Sequence, residues 1–395
     1  MPKPHILIIG AGIPFTVFER DPNPEHRGKG WGITIHWTLD TLLSLLPQHI
    51  VDRLPEASVN PEAVKRGENG NFLFYGLSTG EAKWQVPAAR RNRLSRERLR
   101  RLLMEGIDVQ WSKNITGVSF PTTSTVVATL ADSATATGTH LIGCDGTHSA
   151  VRRLVCPDHQ THHLPVRFLG LLMKASASQI RPMLNLDPYF LQAGDPATDA
   201  FLWFSVLSTP ESSGDDEYEC QVMIAWPHRA GFLGRSESLV VPKTSEERLE
   251  LIREISVGWR TPFMEPISSV EEGTEVKKVR LEDWVPPRHG WNSRGDRVTL
   301  MEDAAHAMVM FRGEGANRGI LDVGKWLEQH LELLKSGYWE NEQMKEASKN
   351  YQSEMIERAR TAVLSSRKAC LDAIDYQRID GNSPLVNKRA IVSDP

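Results

Sequence analysis

The stretch from Gly295 to Ile320 constrains the fold more than any other part of the chain. A β-patterned run, Arg297 to Met301, lies just before the acidic Asp303, and the sequence Arg-Gly-Glu-Gly-Ala-Asn (312–317) leads into a helical pattern. Together these features are typical of a site for a phosphorylated, polyhydroxylated cofactor. The carboxylate can accept hydrogen bonds from hydroxyl groups, and the free N–H groups of a helix start bind negative charge. An ordinary strand–turn–helix connection would also explain the pattern.

This stretch resembles the second flavin-contacting motif of the flavin-dependent aromatic hydroxylases, the family with the para-hydroxybenzoate hydroxylase fold. The matching residues are Asp303, Ala304, Ala305, His306, Arg312, Gly313, Gly315, Ala316 and Asn317. The chain departs from the family pattern at Glu302, where the family has glycine, and at Met310, where many members have proline. The resemblance implies that Asp303 and Ala316 contact FAD. For His306 we expect a role in the structure of the turn rather than in proton transfer.

The N-terminal segment carries only half of a dinucleotide-binding fingerprint. A buried strand is predicted over His5 to Ile9, followed by Gly10 and Gly12, and a second β-run ends at Glu19. An acidic residue in that place binds ribose hydroxyls and normally lies about 20 residues beyond the glycines. Two parallel strands also need a crossover of about a dozen residues. Since Glu19 comes too soon, the sequence predicts that the first helix of the βαβ unit is absent.

Three interpretations of this gap stay open. The sequence is a mis-spliced or truncated version of an active enzyme, a real variant that has lost flavin affinity, or a chain in which two strands form a hairpin by coincidence. The gene itself would distinguish them. An in-frame coding segment of about fourteen codons between those of Gly12 and Ile13 would identify a truncated version, since that length supplies the missing crossover.

The resemblance assigns two further segments to the candidate site. It implies a backbone contact to the flavin nucleotide at Gly32, although spacing alone would also fit a flexible glycine-rich loop. The basic run Arg90 to Leu103 is predicted to contain a helix capped by Ser95, and a bare charge run is usually a solvated helix face. The resemblance instead places a flavin-contacting arginine at Arg96.

The sequence Leu-Ile-Gly-Cys-Asp-Gly (141–146) resembles the family's Asp-Gly motif, which touches flavin and the incoming nicotinamide cofactor. Asp145 and Arg152 are therefore weaker candidate contacts, and the alternative is a strand-to-helix turn with Ser149 at the helix start. Cys156, His159, His162 and His163 do not have a zinc-binding spacing, so no metal site is predicted.

The order of predicted elements indicates an α/β fold. A Rossmann-like FAD-binding domain with a truncated first βαβ unit is predicted over 1–165 and 286–335. Short β-runs separated by polar loops predict an inserted antiparallel sheet over 166–285, which in the resembling family forms the substrate wall. A C-terminal helical segment and tail are predicted over 336–395.

Composition excludes several classes of protein. The net charge of −4 over 395 residues gives no electrostatic reason to expect nucleic acid or an anionic membrane as a partner. The four cysteines are widely spaced, which argues against a disulfide framework. A strand pattern begins at His5, and no apolar run is long enough to span a bilayer. We therefore expect a soluble cytoplasmic protein.

The resemblance implies an FAD-dependent monooxygenase. NADPH would reduce the flavin, molecular oxygen would be the oxidant, and a small aromatic or polyketide-like metabolite would be hydroxylated or epoxidised. The competing hypothesis is an inactive or flavin-poor homologue that acts as a non-catalytic binding protein, and the predicted loss of the helix is its main argument. The sequence does not identify a catalytic acid or base, or an oligomeric state.

Overall fold

The computed structural model describes residues 15–27, 30–70, 72–86, 90–158, 160–336 and 342–387. The predicted strand His5 to Ile9, Gly10 and Gly12, and the predicted loss of a helix after Gly12 all lie outside the described residues. None of the helices within these ranges is long and apolar enough to cross a membrane.

Strands and helices both contribute to the fold, as the α/β prediction requires. Strands β1 to β18 are, in chain order, Val17–Phe18, Gly32–Ile35, Phe72–Gly76, Ala82–Val86, Asn92–Ser95, Val109–Gln110, Ile115–Thr122, Thr125–Leu130, Thr135–Gly138, Leu141–Gly143, His162–His163, Val166–Ala175, Phe190–Gly194, Phe201–Ser208, Tyr218–Pro227, Val276–Lys278, Glu282–Asp283 and Val298–Leu300. Helices α1 to α12 are Leu39–Leu45, Gln48–Val51, Pro61–Lys65, Arg96–Leu103, Ala150–Val155, Ala177–Leu184, Pro210–Ser213, Ser245–Ile255, Met264–Ser268, Asp303–His306, Gly315–Ser336 and Glu342–Ala373.

The largest sheet has seven strands in the order β16-β12-β15-β14-β13-β3-β4. Neighbouring strands are antiparallel except for the parallel pair β13 and β3. The β-runs predicted within 166–285 form most of this sheet, which confirms them as strands. Strands β3 and β4 come from an earlier part of the chain, so the sheet is wider than the predicted substrate segment.

Two pairs of parallel strands, β1 with β6 and β10 with β18, form the part of the fold that resembles a nucleotide-binding domain. The second pair is in register from Leu141 opposite Val298 to Gly143 opposite Leu300. Buried apolar side chains cover this pair, as expected for parallel strands between helices. Glu19 follows β1, and the 301–306 turn follows β18. The acidic residues predicted from the motifs therefore lie at strand carboxyl ends.

Helix α4 begins where the sequence predicts. The Ser95 hydroxyl accepts a hydrogen bond from the Arg98 backbone N–H at 3.4 Å, and Leu99 and Leu102 are buried. Strand β5, immediately before this helix, pairs antiparallel with β2, so Gly32 lies opposite Ser95. The β2–β5 pair thereby brings two residues predicted to bind the cofactor, Gly32 and Arg96, to one hairpin-like unit.

Helix α12 packs against two of the hydrophobic cores. Its first half places Tyr351 and Met355 in the core around β10 and β18, and its last turns place Ala369 and Cys370 against the seven-stranded sheet. Arg367, also in the second half, forms a two-bond ion pair with the fully buried carboxylate of Asp283, at 2.8 and 2.5 Å. This pair joins α12 to strand β17.

Replacing Arg367 with alanine should lower the free energy of unfolding by about 3 kcal/mol, because it leaves the buried Asp283 carboxylate without its partner. Urea denaturation followed by circular dichroism would measure the change. The matched control is Arg235→Ala, which breaks the exposed pair with Glu254 and should cost less than about 1 kcal/mol. Equal losses in the two variants would contradict a special role for the buried pair.

Candidate cofactor-binding site

A cavity of about 870 Å³ lies at the carboxyl ends of strands β1, β10 and β18. Its lining includes Glu19 after β1, Asp145 after β10 and Asp303 after β18, together with Arg96 from the first turn of α4. Ligands of open α/β sheets bind at this edge, and the volume lies within the roughly 300–1,000 Å³ of small-molecule sites. Glu19, Arg96 and Asp303, which were predicted to bind the cofactor, are therefore brought together here.

The described residues that line the cavity carry more positive than negative charge. Six are arginine or lysine and four are aspartate or glutamate: Arg20, Arg27, Arg96, Arg100, Lys113 and Arg153 against Glu19, Asp145, Glu302 and Asp303. A concave site with this excess attracts anions. Carboxylates among the cations can accept hydrogen bonds from hydroxyl groups. The mixture suits a ligand that has both phosphates and sugar-like hydroxyls.

The turn after β18 contains a residue in an unusual backbone conformation. Glu302 has φ 56° and ψ −141°, a region that glycine occupies easily and other residues rarely do. The sequence departs from the family's glycine at this position. Its side chain lies over helix α11, where a Cβ at Gly319 would come within 2.9 Å of the Glu302 Cγ. The turn therefore keeps a glycine-like shape while presenting an additional carboxyl group to the cavity.

Burial raises the pKa of both carboxyl groups in this turn. For Glu302 the loss of hydration, followed by repulsion from Asp303, raises the pKa to about 7. Burial also raises the pKa of Asp303, although His306, the Met308 backbone N–H and Arg96 oppose the rise. Near pH 7 Glu302 is therefore about half protonated, whereas an exposed carboxyl group would have lost its proton.

A buried carboxylate beneath the cavity holds the turn in place. Asp322 of α11 accepts hydrogen bonds from the Glu302 backbone N–H at 2.9 Å, from His306 Nε2 at 2.6 Å and from Arg358 Nη2 at 3.0 Å. Burial alone would lower the pKa of His306, but Asp322 raises it above its ordinary value. The predicted structural role of His306 matches this placement, since its Nε2 is engaged beneath the turn.

The Arg96 side chain extends into the cavity. Its backbone N–H donates to the Trp31 carbonyl at 3.0 Å, and within the described part of the chain its guanidinium makes no hydrogen bond. Burial lowers the pKa of Arg96, and Arg27 adds a like charge. Such a half-buried cation with open donors is suited to an anionic ligand.

Glu19 already has partners on one side. Its carboxylate accepts from the Asp21 backbone N–H at 3.1 Å and from Arg100 Nη2 at 3.3 Å, and Arg27 lies 3.6 Å away. Arg100 is one turn after Arg96 on α4, so both arginines face the cavity. Arg100 was not among the residues predicted from the sequence. The signal that could have found it is this spacing of four residues within the basic run.

The two weaker candidates have structural roles. Both carboxylate oxygens of Asp145 accept hydrogen bonds at the start of α5, from the Ser149 hydroxyl and from the backbone N–H groups of Ala150 and Val151. The buried Arg152 donates to the carbonyl oxygens of Asp303 and Ala304, both at 3.1 Å. The strand-to-helix turn considered as the alternative therefore describes this segment, and Arg152 supports the Asp303 turn from behind.

Gly32 and Ala316 lie outside the lining of the cavity within the described ranges. A Cβ at Gly32 would lie 2.5 Å from Arg93 Nη2, so packing alone explains the glycine there. Ala316, in the first turn of α11, packs against the core that contains Leu39 and Leu99. Contact of these two residues with the cofactor stays a prediction.

The start of α11 is held against strand β2 by Asn317. Its buried amide oxygen accepts from the His36 backbone N–H at 3.0 Å and from the Thr38 hydroxyl at 2.9 Å, and its amide nitrogen donates to the Thr34 carbonyl at 2.8 Å. The motif residue Asn317 thus positions the helix start. Over the described residues, no group of three or more His, Cys, Asp or Glu side chains is placed to hold a metal ion.

Three curated proteins that are similar to this chain are all named FAD-dependent monooxygenases. The chain is 47% identical to a probable FAD-dependent monooxygenase of Arthroderma benhamiae, over 99% of this chain and 96% of the relative. It is 36% identical to the FAD-dependent monooxygenase dbaB of Emericella nidulans, over 79% of each chain. It is 33% identical to the FAD-dependent monooxygenase tazP of Aspergillus terreus, over 82% of this chain and 88% of the relative. No protein-family model matches the chain.

The first of these alignments also bears on chain length. It extends over 418 positions, whereas 99% of this chain is about 391 residues, so about 27 positions of the Arthroderma protein have no counterpart here.

Solved structures share the fold at low sequence identity. Klebsiella pneumoniae HpxO, solved with FAD and uric acid, matches with a TM-score of 0.69 and 18% identity over 93% of this chain and 84% of that one. The 2,6-dihydroxypyridine-3-hydroxylase of Arthrobacter nicotinovorans matches with a TM-score of 0.71 and 16% identity over 99% of this chain and all of that one.

The raised pKa of Glu302 predicts a pH effect on stability. An acid whose pKa is higher in the folded than in the unfolded state stabilises the fold at low pH, and this contribution is lost as pH rises through the folded value of about 7. Glu302→Gln cannot ionise, so its stability relative to the wild type should increase between pH 5 and pH 8. Urea midpoints measured across this range would test the trend. The exposed control Glu332→Gln should show no such trend, and a flat difference for Glu302→Gln would contradict the prediction.

Proposed function

This chain belongs to the FAD-dependent monooxygenases, and we propose that it binds FAD in the cavity bounded by Glu19, Arg96 and Asp303. We further propose that it uses NADPH and molecular oxygen to hydroxylate or epoxidise a small aromatic or polyketide-like compound. The observation that carries the proposal is the convergence of Glu19, Asp303 and the open guanidinium of Arg96 on one cavity with excess positive charge. The residues present fit FAD, which has both a diphosphate and polyol hydroxyls.

The proposed roles follow from the charge and position of each side chain. Arg96 would donate to an anionic group of the cofactor, with Arg100 and Arg27 contributing positive potential. Glu19 and Asp303 would accept from ribose or ribityl hydroxyls. The N-terminus of α11, held by Asn317, would favour negative charge on the flavin. When bound, the flavin supplies electron transfer and oxygen activation, and the protein supplies binding, orientation and exclusion of water.

The first test is the visible absorbance spectrum of the purified protein before and after incubation with excess FAD and desalting. We expect flavin bands at one equivalent per chain, followed by NADPH oxidation when candidate phenols are added. If flavin binds without NADPH oxidation, while NADH is oxidised, only the choice of nicotinamide is wrong. Failure to retain any FAD would overturn the proposed function.

Arg96→Ala should weaken FAD binding about ten- to a hundredfold, because it removes a charge-assisted hydrogen bond worth roughly 1.5–3 kcal/mol. The dissociation constant can be measured by quenching of FAD fluorescence. Arg101→Ala is the matched control, since Arg101 lies on the same helix but is exposed and paired with Glu97 at 2.6 Å. Equal affinities of the Arg96→Ala and wild-type proteins for FAD would show that Arg96 does not bind the cofactor.

A further inference from the structure

A second polar cluster, separate from the lining of the cavity, is enclosed between the β2–β5 pair and the seven-stranded sheet. We call it the Arg93 cluster, and its members are Arg93, Phe190, Gln192, Trp203, Ser205 and Gln221. Register places all five sheet residues on one face, since Phe190 pairs with Ser205, Ser205 with Gln221, and Gln192 with Trp203. Directly paired side chains lie about 5 Å apart. The cluster is therefore compact.

The guanidinium of Arg93 is buried without a counter-ion. Arg93 is 6% exposed, and its two terminal nitrogens donate to the Thr34 hydroxyl at 3.0 Å and to the Ser205 hydroxyl at 3.2 Å. Its Nε has no hydrogen-bond partner. Across the ranges that the structure describes, no carboxylate lies within ion-pair distance of Arg93. A buried charge normally has a paired ion, so this one is suited to an anion that is not part of the protein.

Other polar atoms of the Arg93 cluster also lack partners. Gln192 and Gln221 are 1% and 5% exposed, and their side-chain oxygens accept no hydrogen bond from the described residues. The indole N–H of Trp203 likewise has no acceptor there. Buried polar groups are nearly always satisfied, so several unsatisfied atoms on one sheet face indicate a ligand. The two oxygens require hydrogen-bond donors, such as hydroxyl groups.

Aromatic rings flank the same guanidinium. Phe190 and Trp203 stack with centroids 4.8 Å apart and an interplanar angle of 13°. The Arg93 Cζ lies 5.3 Å from the Phe190 ring centre and 5.5 Å from that of Trp203. Trp203 is only half-buried, whereas the other members are buried, so this indole marks the side of the cluster that is nearest to solvent. Flat apolar surfaces beside a cation are suited to an aromatic anion.

The cluster lies close to the segments that are predicted to hold the flavin. Arg93 Nη2 would be 2.5 Å from a Cβ at Gly32. Phe311, the residue before the glycine-rich sequence 312–317, packs on Phe201 of the same sheet face, with ring centroids 5.2 Å apart. We propose that the Arg93 cluster is the substrate-recognition site and that it selects an aromatic compound with an ionised oxygen and further hydroxyl groups. Arg93 would bind the ionised oxygen, and Gln192 and Gln221 would accept from the hydroxyls. This inference rests on the proposed function, because only a bound flavin would make this ligand a substrate.

The test compares 2,4-dihydroxybenzoate with its neutral analogue 2,4-dihydroxybenzamide on the FAD-loaded protein. Quenching of tryptophan fluorescence would give both dissociation constants. We expect the wild type to bind the anion at least tenfold more tightly, and Arg93→Gln to abolish this preference. Arg98→Gln is the matched control: Arg98 donates to the carbonyls of Ser58 and Leu207 at 2.8 and 3.1 Å, so the variant should keep the preference. A preference that survives in Arg93→Gln would overturn the inference.

Gln192→Leu provides a second variant that leaves Arg93 intact. It should weaken binding of 2,4-dihydroxybenzoate about fivefold and leave binding of unsubstituted benzoate unchanged, because only the former has hydroxyls to donate. Equal effects on both ligands would count against the proposed contact.

The FAD titration of each variant separates this inference from the proposed function. If Arg93→Gln weakens FAD binding while the anion preference persists, Arg93 serves the cofactor and the inference falls. If the wild type retains no FAD but an Arg93-dependent preference for the anion remains, the ligand site stands and the proposed function falls.

Discussion

The carboxylate of Asp322 is the interaction on which the candidate site depends most. It accepts hydrogen bonds from the Glu302 backbone, from His306 and from Arg358, and so joins the turn after β18 to helices α11 and α12. All of these groups are largely removed from water, where an ion pair that loses one member is costly. Attraction of the Asp322 carboxylate for His306 and for Arg358 can therefore stabilise a backbone conformation at Glu302 that a non-glycine residue would otherwise avoid.

This arrangement explains how the chain tolerates its departure from the family's glycine. Glu302 adopts the conformation of a glycine, and the absence of a side chain at Gly319 leaves room for its Cγ. The consequence is electrostatic. Two adjacent carboxyl groups now face a cavity whose other charged residues are mainly cations, and burial raises the pKa of Glu302 to about 7. When Glu302 is protonated, the turn can supply a hydrogen-bond donor as well as acceptors.

The sequence predicted those features that depend on local patterns. The strand, turn and helix of 295–320, the capped helix beginning at Arg96 and the β-runs of the sheet are all present. Features set by distant contacts were not predictable in this way. Strands β3 and β4 join the sheet through the pairing of β3 with β13, far along the chain. Asp145 carries a motif pattern, but its oxygens are engaged by α5. In the sequence, the only sign of the positive φ at Glu302 is that the family's glycine is absent from this position.

The β5–α4 junction connects the two sites. Arg93 and Leu94 point to opposite faces of β5, so Arg93 meets the sheet while Leu94 enters the core beneath α4. Two residues later Arg96 opens the helix and extends into the cavity. A shift of this short junction would therefore move both guanidinium groups together. Under the proposed roles, the substrate anion and the cofactor would be bound by arginines three residues apart, one in β5 and one at the start of α4. Binding at one site would therefore influence the position of the ligand at the other.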